Sequence, residues 1–213
     1  MKKIIPRMPS TKIEDEIRSR GYRYVAGIDE AGRGALMGPV VAAAVIMPEQ
    51  LKGSWVKKVN DSKLLNSGAR AELFDIILQY AVSYGIGSCS NEEIDENGIA
   101  RATKLAMLAA VRALYPSPDY VIIDHLTIAD LMIPHQGITH GDRLSFAIAC
   151  ASILAKVTRD RLIEKMSEVY PQYNFAHHKG YGTAEHLECL RRYGPCPLHR
   201  RSFKPVRPEL FYE

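Results

Sequence analysis

Residues 24–38, Tyr-Val-Ala-Gly-Ile-Asp-Glu-Ala-Gly-Arg-Gly-Ala-Leu-Met-Gly, set two adjacent acids, one cation and four glycines against apolar neighbours. Residues 24–28 are β-branched, aromatic or small, the composition of a buried strand, and the glycines that follow suit a tight turn. Asp29 and Glu30 are therefore expected where a core strand ends. Two neighbouring carboxylates there repel each other and are costly to desolvate unless a cation compensates, and a hard divalent metal is the natural compensation. Arg33 stands between Gly32 and Gly34, which lack a Cβ and let the backbone approach a ligand closely, so backbone N–H groups and a guanidinium could together meet a phosphate. An ordinary turn with solvated acids is the competing reading.

The rest of the chain reads as alternating strands and helices. Residues 39–47 form a Val/Ala/Ile run too short for most helices and are expected to pair with the first strand as a hairpin. Ser10 or Thr11 with Glu14 reads as a capping box for a short helix that Gly21 ends. Leu73, Ile76, Ile77 and Tyr80 have helical spacing within residues 71–81, and residues 82–89 alternate as a third strand. Ser90 with Glu93 forms a second capping box, and an Ala-rich helix follows over residues 100–114. Residues 119–124 are an apolar run flanked by acids, the pattern of a buried parallel strand, with Asp124 at the carboxyl end where α/β sheets place ligands. Asp142 precedes residues 143–170, which predict one or two long helices packed across a sheet face. A His/Gly/Tyr-rich loop over residues 177–183 leads to a short helix over residues 184–193 and a basic, proline-rich end. The plan is α/β in one domain, with a core over residues 1–170 and an extension over residues 171–213.

The 213 residues, 46% hydrophobic, can bury a real core, and the net charge of +4 permits an anionic partner. Cys89, Cys150, Cys189 and Cys196 show no CxxC pair or dense secretory spacing, and no apolar run approaches a membrane span or signal peptide. These features predict a cytoplasmic protein with reduced thiols and no membrane partner.

Asp29, Glu30, Asp124 and Asp142 can all line one sheet edge. An acidic, oxygen-rich, sulfur-free site selects Mg²⁺ or Mn²⁺, and two such ions about 4 Å apart can activate water and stabilise a leaving oxygen in phosphodiester cleavage. One geometric condition applies: successive strand residues point to opposite faces, so Asp29 and Glu30 share a site only where the strand twists or ends. Each acid taken singly also fits an ordinary surface position.

Four motifs occur in order: residues 27–34 (Gly-Ile-Asp-Glu-Ala-Gly-Arg-Gly), Asp61-Ser62-Lys63, residues 121–124 (Val-Ile-Ile-Asp) and residues 151–160 (Ala-Ser-Ile-Leu-Ala-Lys-Val-Thr-Arg-Asp). With residues 179–183 and 199–203, they make the chain resemble the ribonuclease HII family, the bacterial type 2 ribonucleases H, over residues 24–203. The resemblance implies a ribonuclease H-like fold with a mixed five-stranded sheet flanked by helices and a C-terminal helical extension. It implies a monomeric endonuclease that cleaves RNA in RNA/DNA hybrids and incises 5′ of single ribonucleotides embedded in duplex DNA. Asp29, Glu30, Asp124 and Asp142 match the family's metal-binding acids, and Gly32, Arg33 and Gly34 match the tripeptide that reads the ribose 2′-OH. Tyr181 matches the tyrosine at the RNA-to-DNA junction, and Lys63 and Lys156 resemble phosphate contacts.

The chain departs from the family pattern in a few places. Ala35 replaces a proline and Met37 a small residue, which predicts a less rigid turn. His140 stands where a lysine is common, so charge there depends on pH. His125, unusual beside Asp124, reads either as a neighbour of the metal shell or as a buried structural histidine. His186, Cys189, Cys196 and His199 have a spacing that could hold zinc, which the family lacks, so structural roles are expected. A hybrid-binding module that does not cut, and a Mg²⁺-dependent small-molecule phosphohydrolase, are the other function classes these features admit.

Overall fold

A computed structural model describes residues 8–60, 62 and 65–207. Strands β1 (Val25–Ala31), β2 (Val40–Ile46), β3 (Ser83–Cys89), β4 (Tyr120–Asp124) and β5 (His135–Ile138) form one sheet in the order β3-β2-β1-β4-β5. β2 pairs antiparallel with both β1 and β3, whereas β4 runs parallel to β1 and to β5, so the sheet is mixed. β5 was not legible as a strand: its four residues are polar or partly exposed and it sits at an edge.

All seven residues of β2 are buried because helices cover both faces of the sheet. Ala42, Ala44 and Ile46 face α4 (Ile99–Arg112), meeting Met107 and Val111. Ala43 and Val45 face the other layer, which contains α2 (Ser67–Tyr80) and the 24-residue α6 (Phe146–Val169). Ser90 and Glu93 do form a reciprocal capping box, at the start of α3 (Asn91–Asn97). The region predicted as one or two helices divides into α5 (Gly141–Leu144) and α6, with Ser145 extended between them and capping Ile148 N–H. The C-terminal part contributes α7 (Phe175–His178), α8 (Ala184–Tyr193) and a 3-10 turn at Lys204–Val206.

One capping expectation is corrected. In α1 (Lys12–Ser19), Thr11 makes no side-chain cap, and its hydroxyl donates instead to Asp15. Glu14 is buried and accepts from Ser145 Oγ at 2.7 Å and Ala147 N at 2.8 Å. A carboxylate at the N-terminus of α6 meets free N–H groups and the positive end of the helix dipole, although burial raises its pKa. Glu14 thus pins α1 to the α5–α6 junction that carries Asp142. Among the described residues, no helix is long and apolar enough to cross a membrane.

Candidate active site

β1 and β4 lie side by side and parallel, so Asp29 and Asp124 emerge at the same, carboxyl end of the sheet. Asp29 is buried; one of its oxygens accepts Glu30 N–H at 2.7 Å, and Ser152 on α6 also hydrogen-bonds it. Its pKa is raised well above the usual carboxylate range, first by burial, then by the charges of Glu30 and Asp124. Asp124 Oδ1 accepts Gly141 N–H at 2.7 Å. A Cβ at residue 141 would stand 3.1 Å from that oxygen and 2.7 Å from Ile148, so glycine permits this approach. The contact docks α5 on β4 and brings buried Asp142, the next residue, to the same edge.

Asp29 and Glu30 lie in the last three residues of β1. Asp29 points towards α6, and Glu30 has the opposite parity, but the chain turns immediately after Ala31 through Gly32, whose φ is +88°. Glu30 thereby lines a cleft of about 410 Å³ together with Gly32, Arg33, Gly34, Ser62, Ser152, Lys156 and Tyr181. Arg33 lies 3.9 Å from Glu30 across this opening. The Tyr181 ring is flanked by Lys156, with Nζ 5.4 Å from the ring centroid, and by Arg159, at 5.3 Å. Lys156 also pairs with Asp160 at 2.8 Å. Ser62 Oγ and Ser152 Oγ are 2.9 Å apart, tying Ser62 to α6. Lys63 itself lies outside the described residues.

The two glycines of the tripeptide do different work. A Cβ at Gly32 would fall 1.9 Å from Arg159 Nε, so the space it vacates is filled by the protein's own arginine. At Gly34 no heavy atom lies within 4 Å of a Cβ position, and this is the residue whose backbone is open to a ligand. At Gly32 the missing Cβ makes room for Arg159, while its main chain still lines the cleft.

Arg159 and Arg200, both fully buried, were not singled out as site residues, and they hold this turn. Arg159 donates to Pro39 O, Met37 O and Lys179 O at 2.9–3.1 Å. Arg200 donates to Gly38 O, Arg33 O and Ala35 O at 2.7–3.0 Å, and Phe203 covers its guanidinium face. Burial lowers the pKa of both, yet a guanidinium stays charged at neutral pH. Ala35 bridges Tyr181 and Met37 bridges His199, while Met37 is buried against Ile163, Tyr173 and Phe175. The turn predicted to loosen for want of a proline is thus tied by two guanidinium groups. A signal for Arg159 existed: it lies four residues from both Ala155 and Ile163, on the buried face of α6.

His125 is exposed with φ +58°, which corrects the expectation of a buried histidine, and His140 is exposed at φ +59° as the N-cap of α5. His186 and His199 are bonded to each other, Nε2 to Nε2 at 3.0 Å, and their Nδ1 atoms meet Tyr181 O and Cys196 N at 3.0 Å. These imidazoles are engaged in protein hydrogen bonds. Among the described residues, no three His, Cys, Asp or Glu side chains are already grouped to hold one ion. The donor set at the acid edge fits a hard divalent cation: all its candidate ligand atoms are oxygens, and the burial and neighbouring charges that raise Asp29 are what such a cation offsets.

A family model described as ribonuclease HII matches residues 26–206. The chain is 52% identical over 199 residues to the ribonuclease HII of Dehalococcoides mccartyi, covering 93% of this chain and 94% of that one. It is 52% identical over 190 residues to the ribonuclease HII of Acetivibrio thermocellus, covering 89% and 73% respectively. Among solved structures, the ribonuclease H2 of Pyrococcus horikoshii superposes with a TM-score of 0.71 at 27% identity, covering 87% of this chain and 96% of that one.

Proposed function

The chain belongs to the ribonuclease HII family and is a metal-dependent endoribonuclease, and from that premise we propose that it hydrolyses the RNA strand of RNA/DNA hybrids and incises duplex DNA 5′ of single embedded ribonucleotides. The observation that carries this reading is one cleft in which Glu30 meets the open backbone at Gly34 and the ring of Tyr181, with Asp29 and Asp124 at the same carboxyl end of the sheet.

In this proposal Asp29, Glu30, Asp124 and Asp142 hold two Mg²⁺ or Mn²⁺ ions. Bound there, the ions supply charge neutralisation and Lewis acidity for phosphodiester hydrolysis to 3′-OH and 5′-phosphate ends. The protein's own groups do the selecting. Gly32, Arg33 and Gly34 present main-chain groups to the ribose 2′-OH, the hydroxyl that distinguishes RNA from DNA. Arg33 O is already engaged by Arg200, and Gly34 has no Cβ to hold a sugar away. Tyr181 packs on the deoxyribose side of the RNA-to-DNA junction, and Lys156 and Lys63 meet backbone phosphates. We further propose that the protein works as a cytoplasmic monomer and as one domain over residues 1–213, with the extension over residues 171–213 supplying the wall that carries Tyr181.

The test is cleavage of four duplexes of one sequence with Mg²⁺ present: RNA/DNA, DNA/DNA, RNA/RNA, and DNA/DNA with one ribonucleotide. Cutting confined to the first and last is expected. Cutting of the DNA duplex lacking ribose, or hydrolysis of a chromogenic phosphate monoester in preference to every duplex, would overturn the proposal.

A further inference from the structure

Behind the cleft wall lie three buried histidines that the proposed chemistry does not use: His178, His186 and His199. Their partners leave one arrangement of protons. Tyr181 O, 3.0 Å from His186 Nδ1, can only accept, so Nδ1 of His186 carries hydrogen. Cys196 N–H, 3.0 Å from His199 Nδ1, can only donate, so that Nδ1 is bare. Between the rings the two Nε2 atoms are 3.0 Å apart, and the hydrogen there belongs to His199. The two ends therefore agree: Cys196 N–H donates to His199, His199 donates to His186, and His186 donates to the carbonyl of Tyr181. Cys196 Sγ, 3.1 Å from His199 Nδ1, can donate to the same nitrogen. A proton added to either ring would set two N–H groups against each other, so the chain closes only with both imidazoles neutral.

We propose that this relay from Cys196 through His199 and His186 fixes the main chain at Tyr181, making His186 and His199 positioning residues for the ring that faces substrate. The inference rests on Tyr181 being a substrate contact, as proposed above. Two further observations support it. His178 stacks on His186 with centroids 4.4 Å apart; its Nε2 donates to Tyr173 O, and its Nδ1 accepts Gly180 N–H. Gly180 O in turn accepts Leu36 N–H, and Tyr181 bridges Ala35, so the relay and the Gly32-Arg33-Gly34 turn are registered through the same two residues. Burial keeps both rings neutral, lowering His186 to about 4 and His199 to about 3, with neighbouring histidines adding to it.

The experiment has a spectroscopic and a kinetic arm, both on the full chain. In ¹⁵N spectra of imidazole-labelled wild type at pH 7, His186 is expected as the Nδ1–H tautomer and His199 as the Nε2–H tautomer. The reverse pairing, or a cationic ring, overturns the relay without needing any variant to fold. In the kinetic arm, His186→Leu is expected to raise KM for a duplex with one ribonucleotide about 5-fold or more, the size of one neutral hydrogen bond, with kcat within about 2-fold. His186→Asn, whose Nδ2 can still donate to Tyr181 O, is expected to restore most of that loss. A packing role alone predicts the opposite rank, because leucine suits an apolar site better than asparagine; that rank overturns the positioning role. Tyr181→Ala is assayed alongside: wild-type KM there would sink the substrate reading of Tyr181 while leaving the tautomers to judge the relay itself.

Discussion

The acid edge and the buried clamp behind the Gly32-Arg33-Gly34 turn solve opposite problems. At the edge, Asp29 is buried against two like charges, an arrangement that disfavours its ionised form. In the clamp, two buried guanidinium groups and two bonded imidazoles are met by main-chain carbonyls and amides. One region stores repulsion for an incoming cation to relieve, and the other spends its polar groups on holding residues 32–39 and 179–181 in place. Strain sits where the chemistry is, and rigidity sits where the substrate is read.

The largest effects should separate the two regions. Asp29→Asn and Asp124→Asn are expected to lower cleavage about 10³-fold or more. Asp29→Asn should at the same time raise Tm at neutral pH, because the folded chain no longer carries a carboxylate whose ionised form is disfavoured. Calorimetry showing a lower Tm would remove the idea of repulsion stored at the edge. Next comes a pair of glycine substitutions. Gly32→Ala drives a Cβ into Arg159 at a positive φ, and is expected to cost about 2–4 kcal/mol, or a Tm drop of about 5–15 °C. Gly34→Ala meets no atom within 4 Å, so stability should stay within about 0.5 kcal/mol while kcat/KM falls about 10-fold. Equal thermal losses in the two variants would erase the distinction between an inward and an outward glycine.

A smaller effect tests the clamp through pH. His186 and His199 have folded pKa values of about 4 and about 3, below the ordinary 6.5. The unfolded chain therefore takes up protons first as pH falls, and the stability present above about pH 6.5 is lost on acidification at about 1.4 kcal/mol per pH unit for each ring. Asp29 and Glu14, raised by burial, act in the opposite direction, so the informative quantity is a difference between proteins. Between pH 7 and pH 5, wild type should lose about 2 kcal/mol more than His199→Gln in urea titrations. Parallel pH profiles would mean that His199 is not held neutral. The smallest effect belongs to Arg33→Ala: its ion pair with Glu30 is partly exposed at 3.9 Å, and it is the Arg33 carbonyl that Arg200 holds, so Tm should move by less than about 2 °C.

The sheet centre was legible because burial writes itself into composition: β2 reads Val-Val-Ala-Ala-Ala-Val-Ile since both faces are covered. Asp29 and Asp124 stand out in the same way, as charges where an apolar run stops. β5 left no trace, because its partly exposed residues carry no alternation. Glu14 misled, since a carboxylate three residues after Thr11 matches a local cap, while its real partner Ser145 lies 131 residues away. Arg200 was illegible for a related reason: its partners are carbonyls, which every residue has, so no side-chain pattern announces them. The cleft is a tertiary fact, assembled from β1 and the turn after it, Ser62, α6 and the segment after α7, and only the family motifs linked those pieces beforehand.

The most direct test of the central claim is cleavage of an end-labelled DNA duplex containing one ribonucleotide, with Mg²⁺, Mn²⁺ or chelator, by wild type and Asp124→Asn. A single cut on the 5′ side of the ribonucleotide is expected, one that requires metal and is lost in the variant. Cutting that persists in chelator, or that survives Asp124→Asn at the wild-type rate, would contradict the assignment of the acid edge as the catalytic centre.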